Sequence, residues 1–437
     1  MLELIARSKN MSAKKSLKGY YLTTFLIGLG FFTVGLLDPL YDTYIPIFLG
    51  KYIQSKSIIG IIMTLDNILA IFLIPIFSAL SDRTVTPIGR RMPYIITLLP
   101  ITAILFALVP FASLSSLFLL VSVVFFLNLA KQAARGPVVA LMPDMVPGDL
   151  RSEANGVINT MGGLAAILGT VLLARLMDVK VSLFHFGLVD NVLAFPVASL
   201  FVLFATVILF VFVKERKSTL SDSEKGEKEK KEPILQSLKA VIGEENKSAL
   251  YILLALFFWF IGYQGVLPFV GTYSKEVLGT SSGSAALASG MVGISYAIFA
   301  IPSGRIAKSV GRKRIIRASL LVIIVIMLLI AFHSMTIAGT GSVSLYIFWA
   351  LLFLFGTFWV SVVTNSFPML WQLSTFETIG IYTGLYYFFN QAASVVAPPV
   401  AGFIIDIFGY TGLFVFVAAT MFVSFLLMGK VDRGEAS

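Results

Sequence analysis

The sequence contains no cysteine. Disulfides, thiolate metal sites and cysteine nucleophiles are thereby excluded. It has only two histidines, His185 and His333. They are not spaced as metal ligands, so no metal is expected, and both are expected at the surface near outer helix ends. Charge is scarce as well: 13% of the 437 residues are charged, against 57% hydrophobic. A soluble domain carries about 25% charged residues, so a soluble enzyme is excluded. Ser/His/Asp sets, Gly-rich phosphate loops and Walker motifs are missing too, so neither an enzyme, nor a cofactor, nor direct use of ATP is expected. Residues 1–19 are polar and basic and are followed by a long apolar run, which does not fit a cleavable signal peptide.

What the chain does have is long apolar runs, and its mean hydropathy is +0.91. A membrane helix needs about 20 apolar residues. Runs fall at 21–48, 57–80, 93–111, 115–141, 153–175 and 191–213, then at 249–271, 284–303, 315–335, 344–371, 379–405 and 410–429. Lipid offers the backbone no hydrogen-bond partner, so each run is expected to be a helix. The expected fold is an all-α membrane protein of twelve transmembrane helices in two six-helix bundles, 20–213 and 248–429. Residues 1–19 and 430–437 form terminal segments. The Lys-, Glu- and Ser-rich stretch 214–247 reads as a solvated linker. Within it, Pro233 to Ile242 reads as a short amphipathic helix on the membrane surface.

Charge orients the chain. With both termini cytoplasmic, 26 of the 33 Lys and Arg fall on inner segments. Five fall on the outside, and Lys131 and Arg135 lie inside a helix. Cytoplasmic loops carry such an excess. The same placement accounts for the net charge of +10 without nucleic acid. The partner implied is a lipid bilayer, the expected location is the cell membrane, and a monomer is expected.

The halves repeat. Gly156 to Asp178 and Gly384 to Asp406 are both 23-residue stretches that begin with Gly and end with an apolar run and Asp, at an offset of 228. The loops after the second and eighth helices match at offsets of 222–226: Ser78 with Gly304, Asp82 with Lys308, and Gly89-Arg90 with Gly311-Arg312. Two parallel six-helix halves around a midplane site form a transporter architecture.

Asp82-Arg83 followed by Gly89-Arg90-Arg91 resembles the signature loop of the major facilitator superfamily between helices 2 and 3. Five residues separate the two parts here instead of the usual one. That form, with Pro93 behind it, is similar to the glycoside–pentoside–hexuronide cation symporters and plant sucrose transporters. So is Gly136-Pro137 through Pro143-Asp144, followed by Arg151 and Ala154-Asn155. The resemblance implies the major facilitator fold and coupled sugar transport, and it puts an acid at Asp144. Two departures count against carrying over details. Val139 stands where the sucrose branch has Arg, and Ile74 stands where sodium-coupled members have an acid. Independently of the resemblance, a carboxylate facing arginines on a neighbouring helix makes a pair that forms in one conformation and breaks in another. The expected gating loops are Asp82, Arg83, Gly89, Arg90 and Arg91, with Gly304, Lys308, Gly311 and Arg312 in the second half. Their basic residues could equally serve topology alone.

Ionisable groups inside the bilayer are costly and need a reason. Asp38 and Asp42 lie four apart on helix 1, hence on one face. Helix 2 carries Asp66 and Asn67, and helix 4 carries Asn128, Lys131, Gln132 and Arg135. Asp38 and Asp66 read as proton-coupling acids, with Asp144 as a third candidate. The bland reading is a fixed Asp66–Lys131 ion pair. The second half offers Trp259, Tyr263, Gln264, Tyr296, Trp359, Asn365, Asn390 and Gln391, amides for hydroxyls and aromatic faces for C–H surface. The candidate substrate-binding set is Asp42, Asn67, Asn128, Lys131, Gln132, Arg135, Tyr263, Gln264, Trp359, Asn365, Asn390 and Gln391. The function expected is proton-coupled symport of a sugar or glycoside. The alternatives are an efflux antiporter for drugs or organic cations, which the absence of Pro from helix 5 disfavours, and a non-transporting membrane sensor.

Overall fold

The structure is a computed structural model that describes residues 19–147, 150–183, 186–215, 238, 241–243, 245–336, 341–373 and 379–434. Most of the N-terminal segment and linker, including most of the expected amphipathic helix at 233–242, lie outside the described residues, as do His185 and the end of the tail.

The first six helices are α1 (Tyr21–Leu49), α2 (Lys56–Arg83), α3 (Met92–Ser115), α4 (Leu117–Met145), α5 (Arg151–Ile167) and α6 (Ala194–Phe212). The apolar run of α5 does not stay α-helical. It passes into a π turn, Leu168–Leu172, and a 3-10 turn, Leu173–Asp178. A two-stranded hairpin, β1 (Val181–Leu183) and β2 (Gly187–Val189), follows it. The second set is α7 (Ser248–Glu276), α8 (Ser282–Val310), α9 (Arg312–Thr336) and α10 (Ser342–Trp371). It closes with the run Ile379–Gly429, which breaks at Gly409, where φ is 66°. Only glycine adopts that backbone cheaply, so the run is two helices, α11 (379–408) and α12 (410–429). Long apolar helices therefore number twelve among the described residues.

Each bundle has an even number of spans, so the starts of α1 and α7 and the ends of α6 and α12 lie on one face, called here the terminal face. The opposite side is the far face. Asp432 donates its backbone N–H to Ser248 Oγ over 3.0 Å, tying the tail to the start of α7. Serine starts three helices on the far face. Ser55, Ser116 and Ser281 accept from the backbone N–H groups of Ile58, Leu119 and Ser284, which satisfies donors that a helix start otherwise leaves open.

In the first bundle α1 packs on α5 and α6, α4 on α2 and α3, and α3 on α6. In the second, α7 and α9 pack on the run 379–429, and α10 packs on α8 and α9. Aromatic rings fill both cores. Phe106 stacks on Phe195 at 4.6 Å, and Tyr273 meets Phe348 at 4.9 Å. His333 belongs to this second core. It is 2% exposed, with Nε2 3.0 Å from the Ser344 carbonyl. The surface position expected for it is wrong, because its ring lies along Phe348 and Ser344 supplies the polar partner.

The bundles meet along α1–α7, α2–α11 and α5–α8. Gly60 faces the Pro398 carbonyl and Gly402 faces the Lys56 carbonyl, each so close that a Cβ would collide with backbone. These are helix-to-helix approaches that only small residues permit. Among the described residues, every hydrogen bond between bundles lies from Asn67 outward to the far face. These bonds, with the Lys56–Glu276 bridge, tie the bundles together at the far face.

Candidate functional site

At half-depth, three helices of the first bundle bring their ionisable groups together. Lys131 on α4 donates from Nζ to Asp38 Oδ1 on α1 at 3.1 Å and to Asp66 Oδ2 on α2 at 3.0 Å. Gln132, the next residue, donates to Asp66 Oδ1. The ammonium also lies 4.4 Å from the Tyr41 ring centroid, an attractive cation–π contact. Tyr41 OH accepts from Asn128 Nδ2 at 2.7 Å. The fixed pair of Asp66 and Lys131 considered from sequence is thus half of a three-member node. The Lys131 side chain is 5% exposed, but Asp38 keeps 32% and Asp66 19%. Both acids turn a carboxylate oxygen to Lys131.

Asp42 lies one turn farther along α1 and Arg135 one turn farther along α4. Both are half-buried, and neither has a hydrogen-bond or ion-pair partner among the described residues. The amide oxygens Asn128 Oδ1 and Gln132 Oε1 are buried without a donor among the described residues. Counted at formal charge, three carboxylates stand against two cations on this bundle face.

The second bundle supplies amides. Gln391 on α11 donates to the Asn67 carbonyl at 3.2 Å, and Asn67 donates to the Ser394 carbonyl at 3.4 Å. Gln264 on α7 donates to Ser394 Oγ at 2.8 Å, and Thr64 on α2 donates to the Val395 carbonyl at 3.0 Å. Asn67, Gln264, Gln391 and Ser394 therefore form one network one residue away from Asp66. Asn390 lies beside it, with Oδ1 buried and lacking a donor among the described residues. Tyr263 stacks on Trp359 at 4.2 Å and 8°. Trp359 is 2% exposed, so it backs the tyrosine. Asn365 stands apart, bonded to Ser303 Oγ and the Ser361 carbonyl inside the second bundle.

At the terminal face a second ionic cluster forms around the α2–α3 loop. Arg91 binds the Asp82 and Asp144 carboxylates, Ser81 Oγ and the Ser78 carbonyl. Arg90 binds Asp144 through Nε at 3.0 Å and a terminal nitrogen at 2.5 Å. These hydrogen bonds to Asp144 hold its guanidinium above the usual arginine range. Asp144 is therefore placed at the loop, away from the mid-depth node. Arg83 is exposed and has no ion pair among the described residues. In the second bundle Gly304 lies near Thr364, and Gly311 ends α8 with φ 96°. Lys308 is exposed and Arg312 starts α9.

Sequence reading missed several members of these clusters, Ser81 beside Arg91 among them. Glu215 is 4% exposed at its side chain, and it accepts the Arg91 and Met92 N–H groups at 2.9 and 3.2 Å, closing the start of α3. Its position two residues after an apolar run was a signal, hidden by the charged stretch that follows. Tyr41 lies three residues from Asp38, and Ser394 lies three from Gln391, spacings that share a helix face. Thr64 gave no signal.

The sequence matches the Major Facilitator Superfamily over residues 20–396. The chain belongs to this superfamily. It is a multi-pass membrane transporter and not an enzyme. A comparison with curated proteins found no match. Among solved structures, a bacterial homologue of the human lysosomal transporter Spinster, described as inward-facing and unoccupied, is similar at 12% identity with a TM-score of 0.70. That alignment covers 96% of this chain and 99% of the other. The nucleoside transporter NupG is similar at 11% identity and TM-score 0.67, covering 94% of this chain and 100% of the other. At these identities the likeness is one of fold. The mid-depth node lies within the first bundle, on α1, α2 and α4, and of these α1 and α2 pack against the second bundle.

Proposed function

We propose that this facilitator couples entry of a sugar or glycoside to a proton by alternating access. The observation that carries the reading is the Asp38–Lys131–Asp66 node. One ammonium neutralises only one of two carboxylates, and Asp42 with Arg135 adds no net charge. A single proton makes this face neutral, and a neutral face crosses an occluded, dry state at far lower cost than a charged one. Protonation also frees one carboxylate from Lys131, so the ion changes the contacts between α1, α2 and α4. The network of Asn67, Gln391, Gln264 and Ser394 begins at the residue after Asp66, which gives that change a route to the second bundle.

The cargo side argues for a neutral, hydroxyl-rich substrate. The second bundle's candidate residues at this depth are amides, hydroxyls and rings, which supply donors and acceptors in pairs. In this reading the bundles 20–213 and 248–429 rock about the site, residues 214–247 tether them, the terminal face is cytoplasmic, and a monomer in the cell membrane is the working unit. The α2–α3 loop, with Arg90, Arg91, Asp82 and Asp144, acts as the terminal-face gate.

A second reading has one specific observation in its favour. Asp42 is a carboxylate without a partner among the described residues, as a transporter of organic cations would require. Proteoliposomes with an imposed pH gradient distinguish the readings. Sugar accumulation driven by an inward proton gradient is the expected result. Extrusion of cations instead would support efflux, and silence in both assays would support a sensor. Gln264→Ala should weaken sugar affinity about tenfold, on the order of one lost polar contact; an unchanged affinity would move the sugar site elsewhere.

A further inference from the structure

The repeat at offset 228 ends in an aspartate in both halves, and neither aspartate takes part in the site described above. In the structure both reach across the boundary between bundles at the far face. Asp178, the last residue of the 3-10 turn after α5, accepts the Gly283 N–H at 3.0 Å and the Ser281 hydroxyl at 2.8 Å. Ser281 is the N-cap of α8. Asp406 on α11 accepts the Ser55 hydroxyl at 2.7 Å, the Lys56 N–H at 2.6 Å and the Ser57 N–H at 3.0 Å. Ser55 is the N-cap of α2. The two serines are themselves 226 residues apart. Each bundle therefore lends a carboxylate to the start of a helix in the other, in two pseudo-symmetric copies.

The chemistry favours this arrangement. A helix start exposes unpaired N–H groups and a partial positive charge, and hydrogen bonds to an ionised acceptor are the strong ones. Because donor and acceptor sit on different bundles, all five bonds exist only while the far face is shut. They are lost together when it opens. The Lys56–Glu276 bridge, at 2.6 Å, spans the same seam beside Asp406.

We propose that Asp178 and Asp406 are a paired latch that holds the far face closed, and that releasing both is a required step of turnover. The proposal depends on alternating access but not on the cargo or the coupling ion.

The absence of cysteine makes the test direct, since one introduced cysteine reports accessibility without background. Thr170→Cys reports the far-face seam: Thr170 is 6% exposed and packs against Gly290 of α8. Asn159→Cys, at an exposed polar position on α5 toward the terminal face, reports accessibility on that side. In the Asp178→Ala/Asp406→Ala protein, maleimide labelling at Thr170→Cys should rise at least tenfold, while labelling at Asn159→Cys falls. Each single substitution should give part of both changes. Ser55→Ala/Ser281→Ala keeps the carboxylates and removes one donor to each. It should shift both rates in the same directions by about threefold, the scale of one ordinary hydrogen bond. Unchanged rates would overturn the proposal, because the seam would then be held elsewhere. Rises at both reporters would overturn it too, because the caps would then only hold the fold together.

Discussion

Gln391 donates to the main-chain carbonyl of Asn67 over 3.2 Å, across the boundary between the bundles and one residue from Asp66. Its Nε2 also lies 3.3 Å from Asn67 Oδ1. With the bond from Asn67 to the Ser394 carbonyl, it links the residue beside Asp66 to the second bundle. Removing it should weaken coupling more than binding. Gln391→Ala is expected to leave sugar exchange at equal concentrations within a factor of two or three, while proton-driven accumulation falls about tenfold, within the 5–150-fold range of ordinary site-to-site coupling. Parallel exchange and accumulation assays in proteoliposomes check this. Equal losses in both would make Gln391 a cargo-binding residue only.

Lys131 is nearly enclosed and holds two carboxylates, so Lys131→Gln leaves both without their cation. Breaking a buried ion pair on one side costs ~3–5 kcal/mol. The expected result is a large fall in the thermal unfolding midpoint of the purified protein. Adding Asp66→Asn to Lys131→Gln removes an uncompensated charge, so the double variant should be more stable than the single one. This non-additivity is expected only of groups in one network. A double variant at or below the single one would mean that Lys131 acts through packing on Tyr41 instead.

The long helices were legible because lipid makes their signal coarse. Apolar runs of twenty residues and a few isolated charges stand out against a background that excludes charge. The repeat ending in Asp178 and Asp406 was legible as a pattern but not as a contact, since the offset says nothing of which helix each aspartate meets. Glu215 was hidden because an acid beside a solvated stretch looks like part of it until the chain is folded onto α3. His333 was misread because its helix end suggested surface, whereas burial depended on Ser344 from another helix. The Lys131 node lay between: the charges were visible, but that one ammonium serves both Asp38 and Asp66 depends on the relative rotation of three helices.

Asp38 is the more water-accessible of the two node acids, with 32% of its side chain exposed against 19% for Asp66. On the proposed function it is the acid of the pair better placed to exchange a proton with water. Asp38→Asn keeps the shape and removes the titration. It should abolish gradient-driven accumulation and spare sugar exchange, because exchange needs no net proton movement. Accumulation at the wild-type level would remove Asp38 from the mechanism.

The loop cluster divides by exposure. Asp144 keeps 14% of its side chain exposed and serves both Arg90 and Arg91, whereas Asp82 keeps 55% and serves Arg91 alone. Hydrogen bonds to charged groups contribute ~1.5–3 kcal/mol when enclosed, while exposed ion pairs contribute about 0–1 kcal/mol. Asp144→Asn should therefore lower thermal stability clearly, and Asp82→Asn should leave it nearly unchanged. If the loop is a gate, Asp82→Asn should still slow sugar exchange several-fold, because the carboxylate partner it withdraws from Arg91 is one that must re-form on every cycle. Unfolding curves and initial exchange rates on the two variants separate the roles. Wild-type exchange in Asp82→Asn would leave the Asp82–Arg91 pair a static feature and return the gate to Asp144, where both guanidinium groups converge.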